Sequence, residues 1–303
     1  RELDVRAVLL GRIIKRGDTL NIQTDLLDVQ QESQLWGEQY VRKLTDVAGV
    51  QAEIARGISK KLQLRWSDDE GGELSRRSTE NDIAYQSYLK GRYYWNKRSD
   101  DGMQKSIQHF EQAIENDPAF ALAYVGLADA YITLGDWGIV KPRESYPKAK
   151  EAATRALQIN NSLGEAHTAL AYVSYVFDWD FALADKQFKQ AIALNPNYAT
   201  SHQWYAEYLA AMGRHAEALA EIRRAQVLDP LSLIINAVGG LVYNWAGMYD
   251  NAVEECRRTL DMDQDFYPAH LYLAWIYGNQ GKNDEAFSEY MKTEMLSGAT
   301  PVR

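Results

Sequence analysis

Three histidines recur at matching places along the chain and are the first residues to weigh as chemical groups. His167, His202 and His270 each stand near the start of a predicted helix. Imidazole nitrogens bind metal ions, but all ligands of one ion must converge within about 2 Å of it. Packed helices lie about 8–10 Å apart, and two such helices would separate these positions. We therefore predict that the three histidines pack between helices and hold no metal.

Signatures of catalytic families are absent from the sequence. It contains no glycine-rich phosphate loop followed by Lys and Ser or Thr, no nucleophile elbow, no His-Glu-x-x-His, and no kinase His-Arg-Asp or Asp-Phe-Gly triplet. Ser87 and Lys90 match one fragment of a β-lactamase signature whose companion motifs are missing. The single cysteine, Cys256, falls on a core-facing position and predicts a buried free thiol. We expect neither a catalytic residue nor a cofactor in this chain.

Composition and charge argue against two further classes. Residues 81–303 carry 28 acidic and 20 basic side chains, whereas binding to nucleic-acid phosphates needs a clustered basic stripe. Residues 230–249 lack charge, but they contain Pro230 and Asn236 and fit the helix register of their neighbours, so we predict no membrane span. The chain opens at Arg1 without a methionine or an apolar leader, so we expect a piece of a longer protein.

Small residues recur at a fixed interval and organise the chain. Gly213, Gly247 and Gly281 lie 34 residues apart, and two alanine-rich columns keep this spacing in their last three intervals, after intervals of 43 and 35 residues. The first column holds Ser106, Ala149, Ala184, Ala218, Ala252 and Ala286; the second holds Ala113, Ala156, Ala191, Ala225, Thr259 and Thr293. Six helix–turn–helix units of this period, with small residues where helices cross and a glycine between them, resemble the tetratricopeptide repeat family. Pro118, Pro196 and Pro230 follow predicted helix ends, as expected of a residue without an amide donor.

Two loops depart from the minimal repeat. The first repeat carries three extra residues around 98–102. The second repeat carries nine extra residues around 135–147, and long loops in compact repeats are more often functional than accidental. Trp137 in this loop either packs the loop down or meets a partner. In the third repeat, Asp180 is placed to cap the second helix.

The first 66 residues have a different pattern. Residues 5–14 are β-branched and apolar, Gly17 and Asp18 supply a tight turn, and residues 20–26 alternate between apolar and polar, which predicts a β-hairpin. A third strand is predicted over 34–41. A helix beginning at Thr45 or Asp46 should follow, with apolar residues on one side through Leu62, lying over the sheet.

This segment also carries a resemblance. The run from Gly11 to Asp28, then Leu35-Trp-Gly-Glu and Gln51-Ala-Glu-Ile-Ala-Arg, is similar to the carboxy-terminal half of the TolB-type amino-terminal domain. In bacteria that domain precedes tetratricopeptide arrays in serine/threonine kinases, nucleotide cyclases and winged-helix regulators. Residues 84–98 and 202–209 resemble the repeat section of such kinases, notably acidobacterial ones. The first strands of the domain are missing, so we expect an incomplete sheet with an open edge that could pair two chains.

The resemblance implies a mainly α fold, an α-α superhelix of six repeats preceded by a small, truncated α+β domain. We predict the α+β domain over 1–66, a linker over 67–80 and the repeats over 81–303. One face of each first helix in such a stack lines a concave groove. The groove residues predicted from the columns are Tyr85, Tyr88, Arg92, Trp95, Asp129, Tyr172, Tyr175, Gln203, Glu207, Asn244 and Trp275.

These residues predict a non-catalytic module that binds a protein or peptide. Aromatic side chains on the groove can anchor a ligand, or they can pack against the next repeat instead. Asp129 and Glu207 would favour a basic or apolar ligand. The alternatives are a regulatory region of a kinase or cyclase whose catalytic domain lies upstream, and a carrier of a lipid or small ligand.

Overall fold

The computed structural model describes residues 7–17, 19–28, 33–43, 53–54 and 78–297. These residues form two compact units: the first holds the strands with residues 78–87 and 115–117, and the second holds residues 88–114 and 118–297. Most of the predicted linker and most of the predicted helix over 45–62 lie outside the described residues. The domain boundaries remain a prediction.

The described part of the first unit contains an antiparallel sheet in the order β1-β2-β3. Its strands are β1 Ala7–Arg16, β2 Thr19–Asp28 and β3 Ser33–Lys43. The predicted hairpin turn is confirmed, with Gly17 at a φ of 60°, a conformation that glycine adopts without steric penalty. Leu20, Ile22 and Leu26 of β2 alternate as buried residues, and Ile54 packs against this face.

The second part of the chain is helical. Twelve helices follow one another in the described residues: α1 Asp82–Asn96, α2 Asp100–Asn116, α3 Ala121–Asp136, α4 Pro142–Ile159, α5 Gly164–Val176, α6 Phe181–Leu194, α7 Ala199–Ala211, α8 His215–Leu228, α9 Leu233–Trp245, α10 Tyr249–Met262, α11 Tyr267–Asn279 and α12 Asn283–Ser297. Consecutive pairs correspond to the six predicted repeats, so the fold class is confirmed. From the second repeat onwards, each first helix contacts both its own second helix and the next first helix.

The small-residue columns explain this packing. Ser106, Ala218 and Ala252 are completely buried. A β-carbon at Gly240 of α9 would meet the sulfur of Cys256 and lie 3.0 Å from the carbonyl oxygen of Ala252. The two helices of a repeat therefore approach so closely that a larger side chain would push them apart.

The turns between paired helices share one backbone feature. Gly213, Gly247 and Gly281 have φ angles of 73°, 73° and 72°, and each lies two residues before its second helix. In the first and third repeats the same place is held by Arg98, with φ 53°, and Trp179, with φ 58°. Only glycine takes this left-handed conformation without a steric penalty.

Two local predictions are confirmed. The carboxylate of Asp180 accepts a hydrogen bond from the amide of Leu183 at 3.0 Å and caps α6. Cys256 is fully buried and free.

Candidate functional site

The first helices of the second compact unit present polar and aromatic side chains toward one another, and we call this surface the inner wall. Arg92 of α1 forms an ion pair with Asp129 of α3, with Nη1 and Oδ2 2.9 Å apart. The hydroxyl of Tyr198, just before α7, donates to the same carboxylate at 3.3 Å. Asp129 is 1% exposed, and burial raises its pKa to about 6 although Arg92 acts in the opposite direction.

The next part of the inner wall connects the second, third and fourth repeats. The hydroxyl of Tyr172 donates to Asp136 at 2.8 Å and lies 3.5 Å from an oxygen of Glu207. The amide of Gln203 donates to the other oxygen of Glu207 at 3.1 Å. Burial, and then the charge of Asp136, raise the pKa of Glu207 to about 8. At neutral pH this carboxyl group is therefore mostly protonated.

Aromatic rings line the same region. Tyr172 packs on Trp204 with ring centroids 4.6 Å apart, and Tyr175 lies edge-on to Tyr208 at 5.5 Å. These contacts join the third repeat to the fourth. Tyr172 is therefore occupied within the chain.

Trp275 of α11 is the most open of the predicted aromatic anchors in the last repeats. Its side chain is 40% exposed, and its ring lies 5.5 Å from that of Tyr272. One repeat earlier, Asn244 accepts a hydrogen bond from Asn279 at 3.1 Å. Trp275 is thus a large apolar surface that remains available beside satisfied polar groups.

The inserted loop of the second repeat reaches the sixth. Trp137 lies edge-on against Tyr267, with ring centroids 5.5 Å apart. The guanidinium carbon of Arg98, in the turn of the first repeat, lies 3.7 Å from the ring of Trp95 and 5.9 Å from that of Trp137. The inner wall therefore brings together the first, second and last repeats.

The predicted groove residues divide into occupied and open ones. Five are buried: Trp95, Asp129, Tyr172, Gln203 and Asn244. The open or partly open ones are Tyr85, Tyr88, Arg92, Tyr175, Glu207 and Trp275, and of these Tyr85 belongs to the first compact unit. The alternative that groove aromatics pack within the array holds for Trp95 and Tyr172. That a partner touches any of the eleven remains a prediction.

Sequence reasoning missed Arg98, Asp136, Tyr267 and Tyr272. Three of them stand at helix ends or in turns, outside the columns used to find the groove. Arg98 could have been found, because it occupies a place that Gly213, Gly247 and Gly281 hold in later repeats. An arginine at a position that is glycine in later repeats indicates by itself that the residue has a special role.

The three histidines have structural surroundings. In His202, Nδ1 lies 2.5 Å from the carboxylate of Glu221, and Nε2 lies 3.0 Å from the carbonyl oxygen of Pro196. His270 repeats this arrangement with Glu289 and the carbonyl oxygen of Gln264. His167 contacts the side-chain oxygen of Gln187 instead. Within the described residues, no group of three or more His, Cys, Asp or Glu side chains is arranged to hold a metal ion.

Among the described helices, none combines the length and the apolar character that a membrane span requires.

Comparison with known proteins agrees with the repeat assignment. The tetratricopeptide repeat family model matches residues 188–220. A human IFIT1 dimer solved with m7Gppp-AAAA superposes with a TM-score of 0.59 at 18% identity, covering 83% of this chain and 55% of that one. The helical part of the chain therefore has the tetratricopeptide-repeat fold.

Two regulatory proteins show similarity in sequence. The transcriptional regulator HilA of Salmonella typhimurium is 25% identical over 198 residues, which is 65% of this chain and 34% of HilA. Putative adenylate cyclase 3 of Rhizobium meliloti is 28% identical over 176 residues, or 56% of this chain and 29% of the cyclase. The chain spans about a third of the length of these relatives.

Proposed function

We propose that this chain is a non-catalytic interaction module whose inner wall binds a peptide or a protein segment. Stacked helical repeats present an extended concave surface, and rigid aromatic side chains bring large contact area at small entropic cost. The observation that carries the proposal is Trp275, which keeps 40% of its surface exposed next to Tyr272. A large, partly exposed indole on this wall is suited to anchor a ligand.

The polar groups of the wall add selectivity to this anchor. Asp136 is exposed and Glu207 partly exposed, so both remain reachable by a ligand. A basic side chain placed between them would draw the proton from Glu207 and form an ion pair. The proposal therefore includes a preference for a segment with a basic residue close to an apolar one.

We further propose that the module belongs to a larger signalling protein. HilA is named a transcriptional regulator and the Rhizobium protein a putative adenylate cyclase, and each is longer than the part that matches this chain. The resemblance of residues 84–98 to kinase-associated repeats points in the same direction. Reading the coding sequence on both sides of the chain tests this. We expect a kinase, cyclase or DNA-binding domain, and finding none would leave a free-standing adaptor.

Selection of peptides tests the binding proposal. Peptides displayed on phage would be selected against the full chain, and hydrogen exchange would then map the site of the tightest one. We expect protection in the first helices α7, α9 and α11. Protection confined to the second helices α8, α10 and α12 would place the site on the outer surface and overturn the proposal.

A further inference from the structure

Arg98 is a buried cation that has no anionic partner among the described residues. It is 4% exposed. The hydrogen bond of its side chain runs from Nη1 to the hydroxyl of Thr133 at 3.2 Å, and its Nε is buried without any partner. Burying a charge is unfavourable unless an ion pair or hydrogen bonds replace the lost water. The guanidinium therefore lacks the group that would offset its burial.

The rest of the inner wall does not supply that group. Asp129 forms an ion pair with Arg92. Asp136 accepts hydrogen bonds from the hydroxyls of Tyr146 and Tyr172. Burial, opposed only in part by the field of nearby acidic groups, lowers the pKa of Arg98 to about 10, so the side chain is still charged at neutral pH.

The backbone of Arg98 provides a second and independent observation. Its φ of 53° lies in the left-handed region, at a turn where the fourth, fifth and sixth repeats use glycine. A residue with a β-carbon is disfavoured there. Stability alone would favour glycine at this place, so an arginine combines backbone strain with an unpaired charge. Both penalties are typical of a residue kept for binding.

The geometry also indicates which ligand group fits. The guanidinium lies against the ring of Trp95, and Nη1 is held by Thr133. This leaves the edge formed by Nε and Nη2, where Nε is buried without a partner. Such an edge binds a carboxylate or phosphate through two parallel hydrogen bonds, and a ligand group reaches it when the nearby ring of Trp137 makes room. The rings of Trp137 and Tyr267 lie nearby and shield such a pair from water.

We propose that Arg98 is the anion-binding residue of the inner wall and that it takes the carboxylate of an acidic side chain in the bound segment. The proposal rests on the proposed function, since it assigns a ligand group to the same wall. It also extends the sequence-based expectation of a basic or apolar ligand. The segment would carry an acidic residue for Arg98 in addition to any basic residue near Glu207.

The charges that face Arg98 make the binding dependent on pH. The groups whose charges act on it are Arg92, Asp129, Tyr267 and Tyr272, and Arg98 in turn acts on Asp136 and Glu207. Burial raises the pKa of Glu207 to about 8, so this group is mostly neutral at pH 7 and does not repel an anion. Above pH 8 its carboxylate forms, and affinity for an anion should decrease.

The test is a titration of the full chain followed through tryptophan fluorescence, because the rings of Trp95 and Trp137 lie 3.7 Å and 5.9 Å from the guanidinium carbon. The first probe is sodium glutarate, compared with sodium chloride at equal ionic strength and used up to about 20 mM, since one bidentate pair supports only weak affinity. The second probe is a pair of peptides from the display selection that differ only by Glu or Gln. Saturable binding of either carboxylate probe supports the site. Binding of glutarate without binding of the Glu peptide would identify a small carboxylate as the ligand. Binding of the Glu peptide would identify the carboxylate of an acidic side chain as the ligand.

Three variants make the result specific. Arg98→Gln should weaken binding of the carboxylate probe about tenfold or more, and Arg98→Lys, which keeps the charge without the fork, should also weaken it. Arg224→Gln, a change at an exposed arginine of α8, should leave binding unchanged. Without ligand, Arg98→Gln should melt at the same temperature as the wild type or higher, which a purely structural arginine would not do.

Other outcomes would overturn the proposal. These are no saturable response to either carboxylate probe, equal binding by Arg98→Lys, or a fall in melting temperature for Arg98→Gln with unchanged binding. A selected peptide that binds Arg98→Gln as tightly as the wild type while still protecting α7, α9 and α11 would remove the anion site and leave the proposed function standing.

Discussion

Trp137 lies edge-on against Tyr267 with the two ring centroids 5.5 Å apart, although three repeats lie between them in the sequence. The inserted loop of the second repeat is therefore packed against the sixth repeat through Trp137, and contact of this residue with a partner stays a prediction. The ring of Trp137 also covers the guanidinium of Arg98. The inner wall therefore carries covered polar groups together with a partly exposed indole at Trp275.

Removal of this contact should destabilise the array. Trp137→Ala eliminates an aromatic pair and part of a half-buried indole, and we expect a loss of about 1–3 kcal/mol in the free energy of unfolding. Urea denaturation followed by circular dichroism measures it. Trp179→Ala is the matched control, because Trp179 also stands in an inter-helix turn but is 74% exposed. Equal effects of the two changes would show that the contact with Tyr267 contributes nothing.

The helix crossing in the fourth repeat gives a second prediction. Ala218 is completely buried in the small-residue column, so Ala218→Leu should overpack the crossing and cost about 1–3 kcal/mol. The control is Val227→Leu on the same helix, at a side chain that is 71% exposed. Chemical denaturation should show a clear difference in the free energy of unfolding between the two variants. A change near zero for Ala218→Leu would show that the small-residue column was assigned in the wrong register.

The ion pair of the first two repeats gives a third prediction. Arg92→Met would leave the carboxylate of Asp129, which is 1% exposed, without its cation and should cost about 3–5 kcal/mol. The double change Arg92→Met with Asp129→Leu removes the stranded charge and should recover most of that loss. Thermal melts of the single and double variants decide between the two outcomes. A double variant no more stable than the single one would contradict the role given to the buried charge.

The pKa of Glu207 predicts how stability varies with pH. Its pKa rises from 4.5 in the unfolded chain to about 8 in the folded protein, so between these values the folded state holds a proton that the unfolded state releases. The stability contributed by this group is complete below pH 4.5, decreases as pH rises and is lost above pH 8. Because Glu207 keeps partial contact with solvent, we expect Glu207→Gln to stabilise the protein by about 1–2 kcal/mol at pH 8.5 and hardly at all at pH 5. Melting temperatures of both proteins across this pH range measure the difference. If the two proteins change in parallel with pH, the pH dependence of stability does not come from Glu207.

The sequence predicted the fold well because close helix crossings demand small side chains at regular places. The columns through Ala218 and Ala252 fixed the register, and Gly213 and Gly247 were predicted to lie between paired helices, where the structure places them in left-handed turns. The hairpin was predicted equally well, because Leu20, Ile22 and Leu26 alternate with other residues and lie on one buried face.

The site was predicted less completely, for a physical reason. A small-residue column identifies the face of each first helix that does not pack against its own repeat. It does not identify which distant repeat covers that face. Trp95 and Tyr172 were therefore chosen as anchors although Thr133 and Asp136 bind their polar atoms. Arg98 escaped because its side chain starts from a turn.

The most direct test of the account compares two tryptophans of nearly equal exposure. Trp275 on the inner wall is 40% exposed, and Trp245 at the end of α9, outside the predicted groove, is 41% exposed. For the tightest peptide selected against the full chain, titration calorimetry of each alanine variant should show a loss of about 1–4 kcal/mol for Trp275→Ala and a change within about 0.5 kcal/mol for Trp245→Ala. Unchanged affinity for Trp275→Ala, or a greater loss for Trp245→Ala, would contradict the claim that the inner wall is the binding surface.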